Sequence, residues 1–375
     1  MTEFRPELLD DPEALLEADR SGLLRALATA GAQVRRAVET TAEFGVDRLR
    51  SDVRPRAVLV APDAHAPYLS SLLGALAADE APVLDWRDST LPRWAGPADV
   101  LLVASADGRH PRLAELVAQA SRRGLALAVA APAGSPVAAA AARHPVADLR
   151  HLTGVPARAI WWSLATPALL ALDALGLANT TVLLDQVADA LDEIAEQDRP
   201  DSDAYVGPGK VLAAELAESV PVIAGVGPAA TVAARRVAGA VQLLGGSTAM
   251  AASLPDDVAR IGSLLEFATV EADFFADRMD DAAVKPRLVL IGDDSEYGRP
   301  GEQDPLGEQA GRRAAAALGG LAISRGIGVS RVLAPQGDPL VRFAAASAAG
   351  DFAASYLALA RGIDPSAPRL GELDH

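Results

Sequence analysis

Two short segments carry side chains that can hold an anion or move a proton. Arg109-His110-Pro111-Arg112 sets two guanidinium groups and an imidazole where a helix begins. Such a cluster binds phosphate or supplies an acid–base pair, and it equally suits a solvated loop at a helix start. Gly225-x-Gly227 precedes a helical run that contains Thr231. Paired glycines allow a tight turn, and the free N–H groups of the helix start can hold an anion, although parallel α/β folds also use this turn for packing alone. Ser247-Thr248 follow Gly245-Gly246 and offer hydroxyls to a sugar-phosphate oxygen, or simply make a turn. Asp256-Asp257 after Pro255 read as a carboxylate base or as a helix N-cap.

Other residue types narrow the chemistry. Gly225-x-Gly227-x-x-Ala230 echoes a dinucleotide fingerprint only weakly, because no acidic residue ends a second strand roughly 20 residues on, so no nicotinamide cofactor is expected. His65 and His144-x6-His151 lack metal-ligand partners, and no metal site is expected. Trp161-Trp162, Trp86 and Trp94 stack on sugars or fill a core. The absence of cysteine excludes disulfides and thiol chemistry.

These residues need a scaffold, and its period is visible. Arg56–Ala61, Ala81–Trp86, Asp99–Ala104 and Leu125–Ala130 are short apolar runs of strand length. Helical sequence lies between them around Tyr68–Ala78 and Leu113–Arg123, with Gly124 as a stop. A second series follows: strands at Val220–Ala224, Arg287–Ile291 and Val329–Leu333, and helices at Thr231–Val241 and Gly311–Arg325. Continuous apolar strands alternating with helices mean buried parallel sheets with crossovers, the doubly wound α/β pattern. Residues 8–50 and 155–196 are helical, and Gln197–Pro208 is the best linker. Asp351–Pro365 reads as a short helix, apolar on the face of Phe352, Tyr356 and Leu359, ended by Gly362 and Pro365.

The net charge of −16 argues against nucleic acid or an anionic membrane as partner. The most apolar run, Leu125–Ala142, is broken by Pro132, Gly134 and Pro136, so it is a strand, a turn and a helix rather than a span. The acidic first residues lack the pattern of a secretory signal. A cytoplasmic protein is expected.

The string from Asp351 to Pro365 resembles the C-terminal end of the bifunctional phosphoglucose/phosphomannose isomerases, roughly D-x-x-S-x-Y-L-A-x-x-R-G-x-D-P. Arg158–Gly176 resembles the segment between that family's two sugar-isomerase (SIS) domains, and Lys210-Val211-Leu212-Ala213 its N-x-A-K-x-L-A helix start, with Gly207 where the Asn belongs. Pro221–Arg235 resembles its strand, glycine turn and helix ending V-A-x-R, which implies ligand binding by Gly225, Gly227, Thr231 and Arg235. The resemblance implies two doubly wound parallel-sheet SIS domains with helical linkers and a C-terminal helix. It places the first within 1–154, a helical connection at 155–204 and the second at 205–375.

The resemblance also implies proton transfer between C1 and C2 of a hexose 6-phosphate by a Glu, with a His assisting ring opening. Counting from Leu254-Pro255-Asp256, those places fall on Leu243 and Ala259, neither of which exchanges protons. Asp256 and Glu266 are the remaining carboxylate candidates. In the first half, Ala61-Pro62-Asp63-Ala64-His65-Ala66-Pro67 stands where the family has a glycine-rich turn. Asp107–Leu113 replaces its hydroxyl-rich phosphate loop, leaving Arg109 and His110 as cationic candidates. The expectation is a sugar-phosphate-binding protein, homodimeric and without cofactor, whose catalysis is lost or altered. The alternative is an active aldose–ketose isomerase working through a cis-enediol.

Overall fold

The computed structural model describes residues 3–43, 45–51, 53–77, 80–141, 143–149, 152, 154–267, 285–292, 308–333 and 337–366. Two compact units are present, Arg25–Asp192 and Met1–Leu24 with Glu193–His375.

In the unit Arg25–Asp192, β1 (Ala57–Pro62), β2 (Val83–Asp85), β3 (Asp99–Ala104), β4 (Ala126–Ala131) and β5 (Val146–Asp148) form one parallel sheet in the order β2-β1-β3-β4-β5. Every residue of β1 and β3 is buried, as continuous apolar strands in a covered sheet must be. Helix Pro111–Arg123 shows how locally the crossovers are encoded. The His110 side chain caps it, Pro111 opens it and Gly124, at φ +73°, closes it. Its Leu113, Leu116, Val117 and Ala120 follow the 3.6-residue period into the core beside Leu101, Leu127 and Val129. Trp161 and Trp162 are buried edge to face at 4.9 Å, and the Trp161 indole N–H donates to Pro67 O at 2.9 Å, so this pair packs the core. Trp86 donates its indole N–H to Thr90 O at 3.0 Å, and Trp94 lies under the Arg56 guanidinium.

In the other unit, β6 (Ser219–Val226), β7 (Met250–Leu254), β8 (Lys285–Gly292) and β9 (Gly328–Leu333) form a parallel sheet in the order β7-β6-β8-β9. The second strand therefore flanks the first on one side and the third flanks it on the other, as in the five-stranded sheet. Two strands escape the sequence reading. Strand β5 has three residues and ends on Asp148, and β7 is built of Met250-Ala251-Ala252-Ser253-Leu254, so neither presents a branched apolar run.

The C-terminal helix runs from Pro339 to Ala360, with Asp338 accepting from the Leu340 N–H at its start. It is longer than the expected Asp351 start, and it is buried on nearly all sides rather than on one face, which removes the amphipathic period. Asp351 sits mid-helix, paired with Arg236 at 2.5 Å, and Gly362 takes the left-handed turn at φ +68°. It is the one described helix long and apolar enough to cross a membrane, and its most apolar stretch is 89% buried within the protein.

A buried polar network surrounds this helix. Lys210, fully buried, donates to the carbonyls of Leu9, Pro200 and Ser202 at 2.7, 2.9 and 2.6 Å. Asp198 accepts the Gly209 N–H at 2.8 Å, and Tyr356 O–H donates to Asp198 O at 2.5 Å. These bonds pin the stretch between Gln197 and Pro208 to the N-terminal segment and the last helix.

Candidate functional site

The carboxyl edge of the four-stranded sheet holds Gly225, Gly227 and Thr231, with Asp256 just after β7. As β6 ends, Gly225 passes so close to the next helix that a Cβ there would lie 2.2 Å from Ala230 O. Gly227 turns the chain at φ +82°, and helix Pro228–Leu243 begins at once. Only glycine suits both demands. Pro228 has no N–H and Thr231 N–H bonds Gly227 O, which leaves the amides of Ala229 and Ala230 to face a ligand or water. The Thr231 hydroxyl lies 3.2 Å from Ser253 Oγ and 3.4 Å from Gly225 O, joining the ends of β6 and β7. Arg235, one turn on, is exposed, and its charge acts on Asp257.

The carboxylates here are unequal. Asp257 accepts the Ser253 N–H at 2.8 Å and pairs with Arg260 at 3.0 Å. The Ser253 N–H first, then Arg260 and the more distant charge of Arg235, hold its carboxyl below the usual range. Asp257 is therefore an ionised acceptor that anchors β7 to helix Val258–Phe267. Asp256 beside it is exposed, as is Glu266 at the far end of that helix.

Other candidates fall elsewhere. Ser247 and Thr248 precede β7 at the amino edge of the sheet, opposite Thr231. Ser247 Oγ accepts from the buried Arg361 guanidinium, which also holds Gly245 O at 3.2 Å and Ala217 O at 2.6 Å. Leu243 ends its helix and is 44% exposed, and Ala259 lies exposed in the first turn of its own. Neither position offers a proton.

Arg109 and His110 belong to the other unit, exposed at the start of helix Pro111–Arg123, where His110 Nδ1 accepts the Arg112 N–H at 3.2 Å. The Arg112 guanidinium is spent on the carbonyls of Trp86 and Pro62, both at 3.1 Å. Burial, then Arg87, lowers its pKa. His151 lies outside the described residues, and burial lowers the His144 pKa. Among the described residues no cluster of three or more His, Asp or Glu could hold a metal.

The sequence marks Asp63 as a charge that would repel phosphate but not as a structural tie; it is buried where β1 ends and bonds the loop after β3. The proline-flanked loop around it was the available signal, but its partner lies 43 residues away.

Each unit thus holds a parallel sheet in which the second and third strands flank the first. Residues 206–369 match the profile of the bacterial phospho-glucose isomerase C-terminal SIS domain. Among solved structures, the chain is similar to a glucose-6-phosphate isomerase like protein from Thermus thermophilus, at 20% identity over 95% of this chain and 94% of that one, with a TM-score of 0.51. It is also similar to a phosphosugar-isomerase candidate from Silicibacter pomeroyi, at 18% identity over 92% and 99%, TM-score 0.62. A third is the tagatose-6-phosphate ketose/aldose isomerase from Escherichia coli, at 12% identity over 95% and 96%, TM-score 0.59. These identities establish a shared fold. No curated protein sequence matches the chain.

Proposed function

We propose that this protein binds a sugar phosphate at the carboxyl edge of β6 and β7, as a cytoplasmic homodimer, with aldose–ketose isomerisation lost or altered. The observation that carries the reading is the Gly225–Arg235 turn. It combines the amides of Ala229 and Ala230 at the helix start with the exposed charge of Arg235 in the next turns of the same helix, a set suited to a phosphoryl group. The same edge is poor in general bases. Asp257 is committed to Ser253 and Arg260, and the positions the isomerase resemblance assigns to base and acid are Leu243 and Ala259. The SIS profile over residues 206–369 covers this turn.

The test pairs binding with turnover. Millimolar glucose 6-phosphate or fructose 6-phosphate should raise the Tm of the whole chain. A coupled assay of fructose 6-phosphate conversion to glucose 6-phosphate or mannose 6-phosphate should stay at the blank. Turnover that disappears in Asp256→Asn or Glu266→Gln would establish the active isomerase instead. An unmoved Tm would remove the binding role.

A further inference from the structure

The second carboxyl edge, that of the five-stranded sheet, has its switch point between β1 and β3, where strand order reverses. Open α/β sheets take their ligands at such a point, and anions are met there by loop amides. Here most of the amides are already taken. Asp63, the residue after β1, accepts the Ala106 N–H at 2.6 Å through Oδ2 and the His65 N–H at 2.8 Å through Oδ1. Along the loop after β3, Gly108 N–H bonds Ser105 Oγ at 3.2 Å and Arg109 N–H bonds Asp107 Oδ1 at 2.9 Å. Arg112 N–H bonds His110 Nδ1, Leu113 N–H bonds His110 O, and Pro111 has none to give. The loop has little freedom to release them. Gly108 is at φ +67° with room for no Cβ, since one would lie 2.1 Å from Ser135 Oγ. The indole of Trp161 holds Pro67 O on the other side.

The Asp63 carboxylate is only 9% exposed and lies 3.4 Å from His65 Nδ1. Burial opposes its ionisation, but His65 and the amides of Ala106 and His65 outweigh that and hold it below the usual range. Its charge is therefore permanent at neutral pH. Asp107, exposed at the mouth, adds a second negative charge, while Arg112 is engaged below and Arg109 remains the cation at the rim.

We propose that Asp63 is a built-in anion: its carboxylate fills the anion place between β1 and β3 and excludes phosphate-bearing ligands from the unit Arg25–Asp192. Asp63 is then a specificity determinant, and it confines sugar-phosphate binding to the other unit.

Selective 15N-histidine labelling reads this directly, because the chain has five histidines and the His65 amide is one of the two amides bonded to the Asp63 carboxylate. In the wild-type full chain, inorganic phosphate should leave the His65 amide signal in place. In Asp63→Ala, phosphate should shift it saturably, and sulfate should do the same. Asp63→Asn keeps the shape and removes the charge, so it carries the same expectation where Asp63→Ala does not fold. A phosphate-dependent His65 shift in the wild type overturns the proposal, as does a folded Asp63 variant whose His65 signal ignores phosphate. This readout is separate from the Tm response to sugar phosphates. An unmoved wild-type Tm counts against the function proposed above and leaves the role of Asp63 standing.

Discussion

Lys210 in one unit and Asp63 in the other are buried charges satisfied by backbone, and they do different work. The Lys210 ammonium meets the carbonyls of Leu9, Pro200 and Ser202, the farthest of them 201 residues away in sequence. The Asp63 carboxylate meets the amides of His65 and Ala106, in the loops that follow β1 and β3. A buried charge acts as a tie when its partners would otherwise be orphaned in the interior. It acts as a plug when its partners would otherwise face an incoming molecule.

Replacing Lys210 should break the tie at the largest cost. Lys210→Met leaves one buried and two part-buried carbonyls without this donor, each worth about 1–3 kcal/mol if unpaired, and a loss of about 3–5 kcal/mol is expected in urea unfolding. The His65 response to phosphate should be untouched. A Lys210→Met protein as stable as the wild type would erase the distinction.

The pH dependence of the tie sharpens it further. Burial pushes Asp198 up to about 7 from its ordinary 3.8, against the pull of the Gly209 and Lys210 amides and the Lys210 charge. The folded state then holds a proton that the unfolded chain has released. That contribution is full below 3.8 and fades as pH rises through about 7. The urea midpoint should accordingly fall between pH 5 and pH 8 in the wild type, and less steeply in Asp198→Asn. Equal slopes would show that Asp198 carries its charge throughout.

Smaller effects are expected at the crevices. Asp63→Asn exchanges charge-assisted bonds for neutral ones, at about 1–3 kcal/mol by urea midpoint. Arg235→Ala, on an exposed face, should change stability by less than about 0.5 kcal/mol. It should nonetheless abolish most of the Tm rise with glucose 6-phosphate. A full Tm rise in Arg235→Ala would move the ligand away from the β6 edge.

The fold was largely legible because its signals are local. Strand β3 matches the expected Asp99–Ala104 residue for residue, and Gly124, Gly227 and Gly362 each stand at a positive-φ turn. The proposed site rests on equally local signals, since Gly225, Gly227, Thr231 and Arg235 lie within eleven consecutive residues. Ser247 looked equally suitable in sequence. Its hydroxyl is held by Arg361, 114 residues away, at the opposite end of the strand.

By itself, the sequence determined the class of fold, the register of apolar runs and the turns where glycine is required, because burial periodicity and backbone sterics act over a few residues. Only the tertiary structure decided which polar groups remain available. Lys210 reads as part of a helix start and Asp63 as a loop charge that repels phosphate, and neither reading contains the partner that the chain supplies, Leu9 O to one and the Ala106 N–H to the other. A buried polar group is defined by its partner, and these partners are set by the fold.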